Sequence, residues 1–493
     1  MYKYFKNIAE KSSCSLSGAC SVHPSTSALY NLLLYEIREA VYYLVKIKEF
    51  NLVSKKAQEQ CIKALSLFLI NTSLNEKKYL KIVKELDSIK KELKTQYVQY
   101  CNDNEVPCEI LKSNIILNEA ITITQLIELS QNNLANKLKA IDKSKQGLYE
   151  LITLFAKLSA AISCKIKRFE EDYDEFDYEI LRFFALTNAY SIRIEKIKRR
   201  IQAFCSVALK LKEKLFSILE NRYGKKQNSI ISTGEEKGHA ILVSGDDLIE
   251  LEKILKTIEK MNIREEISVY TNGSLFLAHF YPYFSQNKYL KGHWGVNDAQ
   301  YDFSTFQGSI LITRNFLQKI DSLYKGEIYS NKVISFSKVI DIENENYEPV
   351  IKSALSNKGF LADNKKPLLK INYDIDKINK IIDETIENKT NEVVLIAGNL
   401  DSKKVFEEYQ NKKIIHFSTP LESDILLSSI KKLIKNNIKI TVFFPHCDIE
   451  SIYNVFLLLN SDIDIYLADC SHILINPHVI EALCLNFGVK VIS

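Results

Sequence analysis

Glycine and proline are scarce in this 493-residue chain, 14 and 8 in all, and before Gly224 only Gly18, Gly147, Pro24 and Pro107 occur. Turn-rich β structure needs those residues as punctuation, so the first 223 residues are expected to form long helices. No unbroken apolar run approaches the ~18 residues of a membrane span. The start, Met-Tyr-Lys-Tyr-Phe-Lys, lacks the apolar core of a signal peptide, so a cytoplasmic chain without membrane contact is expected. No G-x-G-x-x-G, G-x-x-x-x-G-K-[ST] or G-x-S-x-G pattern occurs, which removes the nucleotide-binding fingerprints and the serine-hydrolase elbow. What is present is a globular composition, 46% hydrophobic and 26% charged, at a length that suits about three domains.

The formal charge of +5 hides an asymmetry: residues 1–240 hold 38 lysines and arginines against 28 acids, while residues 241–493 hold 28 against 33. The lysines sit among acids at helical spacing, which is a solvated face, and no nucleic-acid partner is expected. Of ten cysteines, Cys61, Cys164, Cys205 and Cys484 stand in apolar-periodic contexts and read as small core hydrophobes. Cys101-x6-Cys108 falls in a helix connection with Pro107 and Asn104 and no further ligands nearby; it reads as two solvent-accessible thiols rather than a zinc site. The acidic run from Glu170 to Asp177 reads as a solvated interhelical loop rather than a calcium site.

Apolar positions Leu33, Ile37, Ala40, Leu44 and Ile47 recur at helical spacing over residues 25–50, behind the start signal Pro24-Ser25-Thr26. Similar stripes cover 59–70, 76–103, 112–140, 147–169, 176–186 and 189–222, enough for a helical bundle or two in series. After a polar connection, 225–238, the rhythm becomes strand, helix, strand: 240–243, a helix from Asp247, 267–270 and 309–313. A second such block has strands at 393–397, 414–417, 438–444, 463–467 and 489–492. The expected architecture is therefore a helical domain over 1–235 followed by two Rossmann-like α/β domains, 236–375 and 376–493. Functional loops of such sheets leave the carboxyl ends of strands, which selects residues 244–247, 271–274, 313–316 and 398–401.

Those loops carry a resemblance. Cys14-Ser-Leu-Ser-Gly-Ala-Cys20 before the Pro24 helix, Ile241-Leu-Val-Ser-Gly-Asp-Asp-Leu248, Tyr270-Thr-Asn-Gly-Ser-Leu-Phe-Leu-Ala-His-Phe-Tyr-Pro282, Ile312-Thr-Arg-Asn-Phe-Leu-Gln318 and the stretch around Asn476-Pro477 occur in this order. In this the chain resembles the hybrid-cluster proteins, the prismane or hydroxylamine-reductase family related to nickel carbon monoxide dehydrogenases. The resemblance implies a helical domain and two α/β domains, a cubane cluster near the N-terminus, and a hybrid iron–sulfur–oxygen cluster that passes electrons to hydroxylamine or nitric oxide. It also places Trp294, in Gly292-His-Trp-Gly295, in a family loop packed between domains.

The departures fall on the ligand positions that the resemblance implies. Of four cubane cysteines only Cys14 and Cys20 remain, the other two falling within Lys3 to Lys6. Asp246 stands for the family's histidine, Ser274 for a glutamate, Phe316 for a cysteine and Asn399 for the persulfide-bearing cysteine. A region that brings two further cysteines is shortened, leaving 411–435 without a thiol, and His446 or Cys447 stands near the last glutamate. Gly245, Asp247, Gly273, His279, Asn315 and Gly398 meanwhile persist around them. The leading expectation is a cluster-free scaffold or binding subunit without cofactor, pairing with itself or with an active relative. The alternative is a reductase of the hydroxylamine and nitric oxide class whose iron–sulfur centre is reduced, or rebuilt as a single metal ion on Asp246, Asn399, His446 and Cys447. Against that, Asp246 is expected to cap the helix beside it. Cys14 and Cys20 remain open between a shared metal, a redox pair and packed reduced thiols.

Overall fold

The structure is a computed structural model. It describes residues 24–52, 54–67, 75–111, 121–130, 143–170, 173–188, 192–263, 267–295, 299–314, 324–332, 339–371, 375–397, 407, 409–417, 423–445, 449–468 and 477–492. The chain divides into two compact units, one comprising Met1–Phe68, Leu80–Phe216 and Ile375–Ser493, the other Leu69–Tyr79 and Ser217–Asp374.

The glycine-poor portion is helical, as its composition dictates: Pro24–Glu49, Lys55–Ser66, Glu76–Asp103, Lys143–Lys167, Asp177–Phe184 and Ile194–Tyr223. Of the stripe expected over 112–140, residues 123–130 are helical and most of the rest lies outside the described residues. In the first unit Phe155 stacks on Phe456 at 3.7 Å, and Phe183 stacks on Phe204 at 4.0 Å. The buried Ser159 and Tyr453 hydroxyls share a 3.1 Å hydrogen bond, so the helix Lys143–Lys167 packs on the helix Ile449–Leu458. Residues Lys145–Lys167 are, by length and composition, apolar enough to cross a bilayer, which corrects the reading that no segment comes close. Glu150 and Lys157 hide this in a search for unbroken runs. Here most of that apolar surface is buried inside the protein.

Two parallel sheets follow the helices. In the second unit, β2 (His239–Ser244), β3 (Ile267–Asn272), β4 (Leu290–His293), β5 (Ser309–Ile312), β6 (Ile328–Ser330) and β7 (Val339–Asp341) lie in the order β4-β3-β2-β5-β6-β7. In the first unit, β9 (Glu392–Ala397), β10 (Lys413–Phe417), β11 (Lys439–Pro445), β12 (Asp464–Ala468) and β13 (Lys490–Ile492) lie in the order β10-β9-β11-β12-β13. Central strands such as β2, β3 and β9 are buried almost throughout, which is why they read as continuous apolar runs rather than alternating ones.

The polar connection 225–238 is more ordered than its composition suggests. It holds β1 (Ser229–Ile231), paired antiparallel with β8 (Leu369–Ile371), and bridges from Glu235 to Asn364 and from Gly238 to Phe360. Three other expectations are corrected. Cys101 is buried rather than solvent-accessible. Asp177, last of the acidic run, is buried against Ser163 and Lys167, because a carboxylate leaves water where a hydroxyl and an ammonium receive it. Trp294 packs with Tyr270, Phe303, Phe306 and Phe360 in the core of the second unit, not as a plug between domains. Among the thiols read as core hydrophobes, Cys61 and Cys205 are buried, and Cys164 and Cys484 are partly so.

Candidate functional site

The chain leaves β2 for β3 and β4 on one side and returns to β5 on the other, so the strand order reverses between β2 and β5. Crevices at such a reversal, beyond the carboxyl ends of the strands, are where open α/β sheets hold ligands. Here Ser244-Gly-Asp-Asp247, Asn272-Gly-Ser274 and Thr313-Arg314 emerge side by side, because Ser244 is in register with both Asn272 and Ile312.

These loops are tied to one another by hydrogen bonds. The Ser244 hydroxyl donates to the Asn272 side-chain oxygen at 2.8 Å, and the Asn272 amide donates at 2.9 Å to both the Trp294 carbonyl and the Asp302 carboxylate. The Gly245 amide donates to the Asn272 carbonyl, and the Gly245 carbonyl accepts from the Leu275 amide. Thr313 closes the other side, its amide donating to the Ser244 carbonyl at 2.8 Å. Gly245 has a φ of 134°, and a Cβ there would collide with the Thr313 hydroxyl, so the crossing of the two loops admits no side chain.

Asp247, rather than Asp246, caps the helix Leu248–Met261. Its carboxylate accepts from the Ile249 and Glu250 amides at 3.1 and 3.3 Å. The neighbour cannot do this, because the Ncap is the last extended residue before the helix and Asp247 has φ −101° and ψ 97°. Lys332, which follows β6, reaches the same place: its ammonium lies 3.2 Å from Asp247 and 2.5 Å from the buried Glu250. Sequence reasoning missed Lys332 because a three-residue strand gives no periodic signal.

Behind the loops, the Thr271 hydroxyl lies 2.8 Å from His279 Nε2 and 2.9 Å from His293 Nδ1. Burial, with the His293 ring beside it, holds the His279 pKa down to about 3 even though it bonds to the Gly292 backbone. His279 is therefore a neutral ring that knits β3 to β4.

Among the residues singled out by sequence, Asp246 lies partly exposed in the Gly245–Asp247 loop, and Ser274 is exposed on the 3-10 turn Gly273–Phe280. Both belong to the cluster of loops just described. Phe316 and Asn315 lie outside the described residues, as do Gly398, Asn399, His446, Cys447, Cys14 and Cys20. The strands preceding Asn399 and His446, β9 and β11, are hydrogen-bonded neighbours. Among the described residues no group of three or more His, Cys, Asp and Glu side chains is placed to hold a metal ion.

Comparison with known proteins agrees with this layout. The family model described as the Prismane/CO dehydrogenase family matches residues 7–427. A hydroxylamine reductase of Methanocella arvoryzae is 27% identical over 370 residues, covering 73% of this chain and 65% of that protein, just under two thirds of its length. A hydroxylamine reductase of Thermodesulfovibrio yellowstonii is 26% identical over 385 residues, covering 76% of this chain and 68% of its own. One from Kosmotoga olearia is 26% identical over 442 residues, covering 85% and 76%. With helices first, two parallel sheets after them and a family match over most of its length, the chain belongs to the Prismane/CO dehydrogenase family.

Proposed function

We propose that this chain is a member of the family that carries no hybrid cluster and acts as a scaffold or binding subunit in the cytoplasm, either with a second copy of itself or with an active relative. The observation that carries this reading is the distribution of thiols: between Cys205 and Cys447 there is no cysteine. That interval contains both switch-point strands of the six-stranded sheet, and iron–sulfur clusters are held chiefly by thiolates. The donor set of the described loops does not fit such a cluster. Asp246 is one carboxylate, Ser274 is a hydroxyl facing solvent, and Ser244, Asn272, Thr313 and Asp247 are engaged with one another. Their hydrogen bonds also account for the retained Gly245, Asp247 and His279 in terms that need no iron.

The test is chemical analysis of anaerobically purified, full-length protein for iron, other transition metals and acid-labile sulfide, with a visible spectrum and an assay of hydroxylamine-dependent oxidation of a reduced dye. A colourless protein with trace iron and background turnover is the expected result. Near-stoichiometric iron and sulfide would overturn the proposal, and so would a stoichiometric single ion lost on Asp246→Ala, which is the signature of a rebuilt centre on Asp246.

A further inference from the structure

Cys101 and Cys108 are brought together although six residues separate them. Cys101 occupies the last turn of the helix Glu76–Asp103. Glu105 then takes a left-handed φ of 53°, and the Val106 amide donates back to the Cys101 carbonyl at 3.0 Å, so the chain reverses and returns along the helix. The result is that Cys108 comes back beside Cys101: the Glu109 amide, next in the chain, bonds to the Tyr97 hydroxyl, and Tyr97 stands one helical turn before Cys101.

The returning segment is pinned on the C-terminal side of Cys108. The Glu109 amide donates to the Tyr97 hydroxyl at 3.0 Å, the Glu109 carboxylate pairs with Lys46 at 2.9 Å, and the Tyr42 hydroxyl donates to the Glu109 carbonyl at 3.0 Å. The Leu111 amide donates to Tyr43 at 3.2 Å. Beneath them Phe50 stacks on Tyr100 at 4.0 Å. Cys101 is 2% exposed, whereas Cys108 is partly open to solvent. One sulfur a small molecule can reach, a second beside it but shielded, and a backbone already bent to bring them together is the arrangement of a dithiol that oxidises internally.

We propose that Cys101 and Cys108 form a redox-active pair that closes reversibly into a disulfide when the protein meets a low-molecular-weight disulfide of the glutathione type. The Cys108 thiolate attacks one sulfur of that disulfide and expels one small thiolate. The Cys101 thiolate then attacks Cys108 Sγ and expels the second. One protein S–S bond forms, the small disulfide is reduced by two electrons to two thiols, and the two protons released by the cysteines are taken up by the leaving thiolates. Burial, and then the neighbouring Cys101, raise the Cys108 thiol above its ordinary value, so exchange is slow near neutrality and quickens as pH rises and the thiolate forms.

The experiment uses the full-length protein in glutathione buffers of increasing disulfide content, with free thiols trapped by N-ethylmaleimide before digestion. Lysines at 94 and 112 with none between place both cysteines on one tryptic peptide, Thr95–Lys112. The expected result is that this peptide becomes unlabelled and two hydrogen masses lighter, and that dithiothreitol reverses the change. In Cys101→Ser the reaction should stop at glutathionylated Cys108, and in Cys108→Ser Cys101 should remain a free thiol. The proposal is overturned if both cysteines stay labelled in the most oxidising buffer, if the wild type stops at the mixed disulfide, or if Cys108 joins a cysteine outside this peptide.

Discussion

His279 lies in one of the motifs on which the family resemblance rests, and the Thr271 hydroxyl and the Gly292 backbone give it a structural role. Its buried ring resists protonation down to about pH 3, while the unfolded chain binds that proton near pH 6.5. Because the unfolded state takes up the proton first, His279 stabilises the fold above pH 6.5 and loses that contribution as pH falls toward 3, at up to about 1.4 kcal/mol per unit. Urea midpoints measured between pH 4 and 7 should therefore fall less steeply for His279→Gln than for the wild type; equal slopes would remove His279 as the cause. The sequence marked this residue but could not say what it touches, since His293 and Gly292 reach it only through the pairing of β3 with β4. The same limit separated Asp246 from Asp247. Two adjacent aspartates before a helix are equivalent in composition, and only the backbone angles decide which one caps.

Among the elements, long helices and fully buried strands were legible because each carries many apolar side chains in a fixed period. The helices at 76–103 and 194–223 and the strands β2, β3, β9 and β11 all lie within a few residues of their apolar patterns. Three-residue strands such as β6 and β7 carry too few residues for any period. The β1 and β8 pair escaped because its partners lie far apart in a polar context. Charge placed inside a helical interface was equally invisible. Lys90 sits between the helices Pro24–Glu49 and Glu76–Asp103, 2.6 Å from Glu36, 3.1 Å from Asp87 and 3.5 Å from Glu39, all of them nearly or fully buried. Burial opposes its charge, but the Glu36 carboxylate and its neighbours outweigh that and push the lysine pKa up. Lys90→Met leaves the buried Glu36 without its cation, while Asp87 keeps Lys91 at 2.7 Å, and should cost about 3–5 kcal/mol in chemical denaturation, with a smaller loss when Glu36→Gln is added. Additive losses in the double variant would show that the pair does not interact.

At the scale of the whole molecule, periodicity reports which face of a helix is buried but not what covers it. In the first unit the helix Lys143–Lys167 is covered partly from the far end of the chain: Phe456 stacks on Phe155, Tyr453 bonds to Ser159, and Gly147 lies so close to the His478 carbonyl that a Cβ would meet it at 2.8 Å. Lys212, on the helix Ile194–Tyr223, likewise pairs with Glu450 and Asn454. A chain stopped at Asp374 should therefore expose this apolar helix, bind hydrophobic dyes and aggregate on size exclusion; a soluble, dye-negative product would contradict the packing described. The signature loops were legible in the sequence because their residues are adjacent in the chain, whereas Lys332 and Asp302, which complete their network, are contributed by separate segments.

The contact between Phe155 and Phe456 also sets an order of events during synthesis. About 300 residues separate the two rings, so at ~5–20 residues per second the ribosome needs ~15–60 s after making this long apolar helix before it delivers the C-terminal part of its cover. Throughout that interval the nascent chain presents a helix that by length and composition resembles a membrane span, making the growing polypeptide, rather than the finished protein, the form with most need of a chaperone.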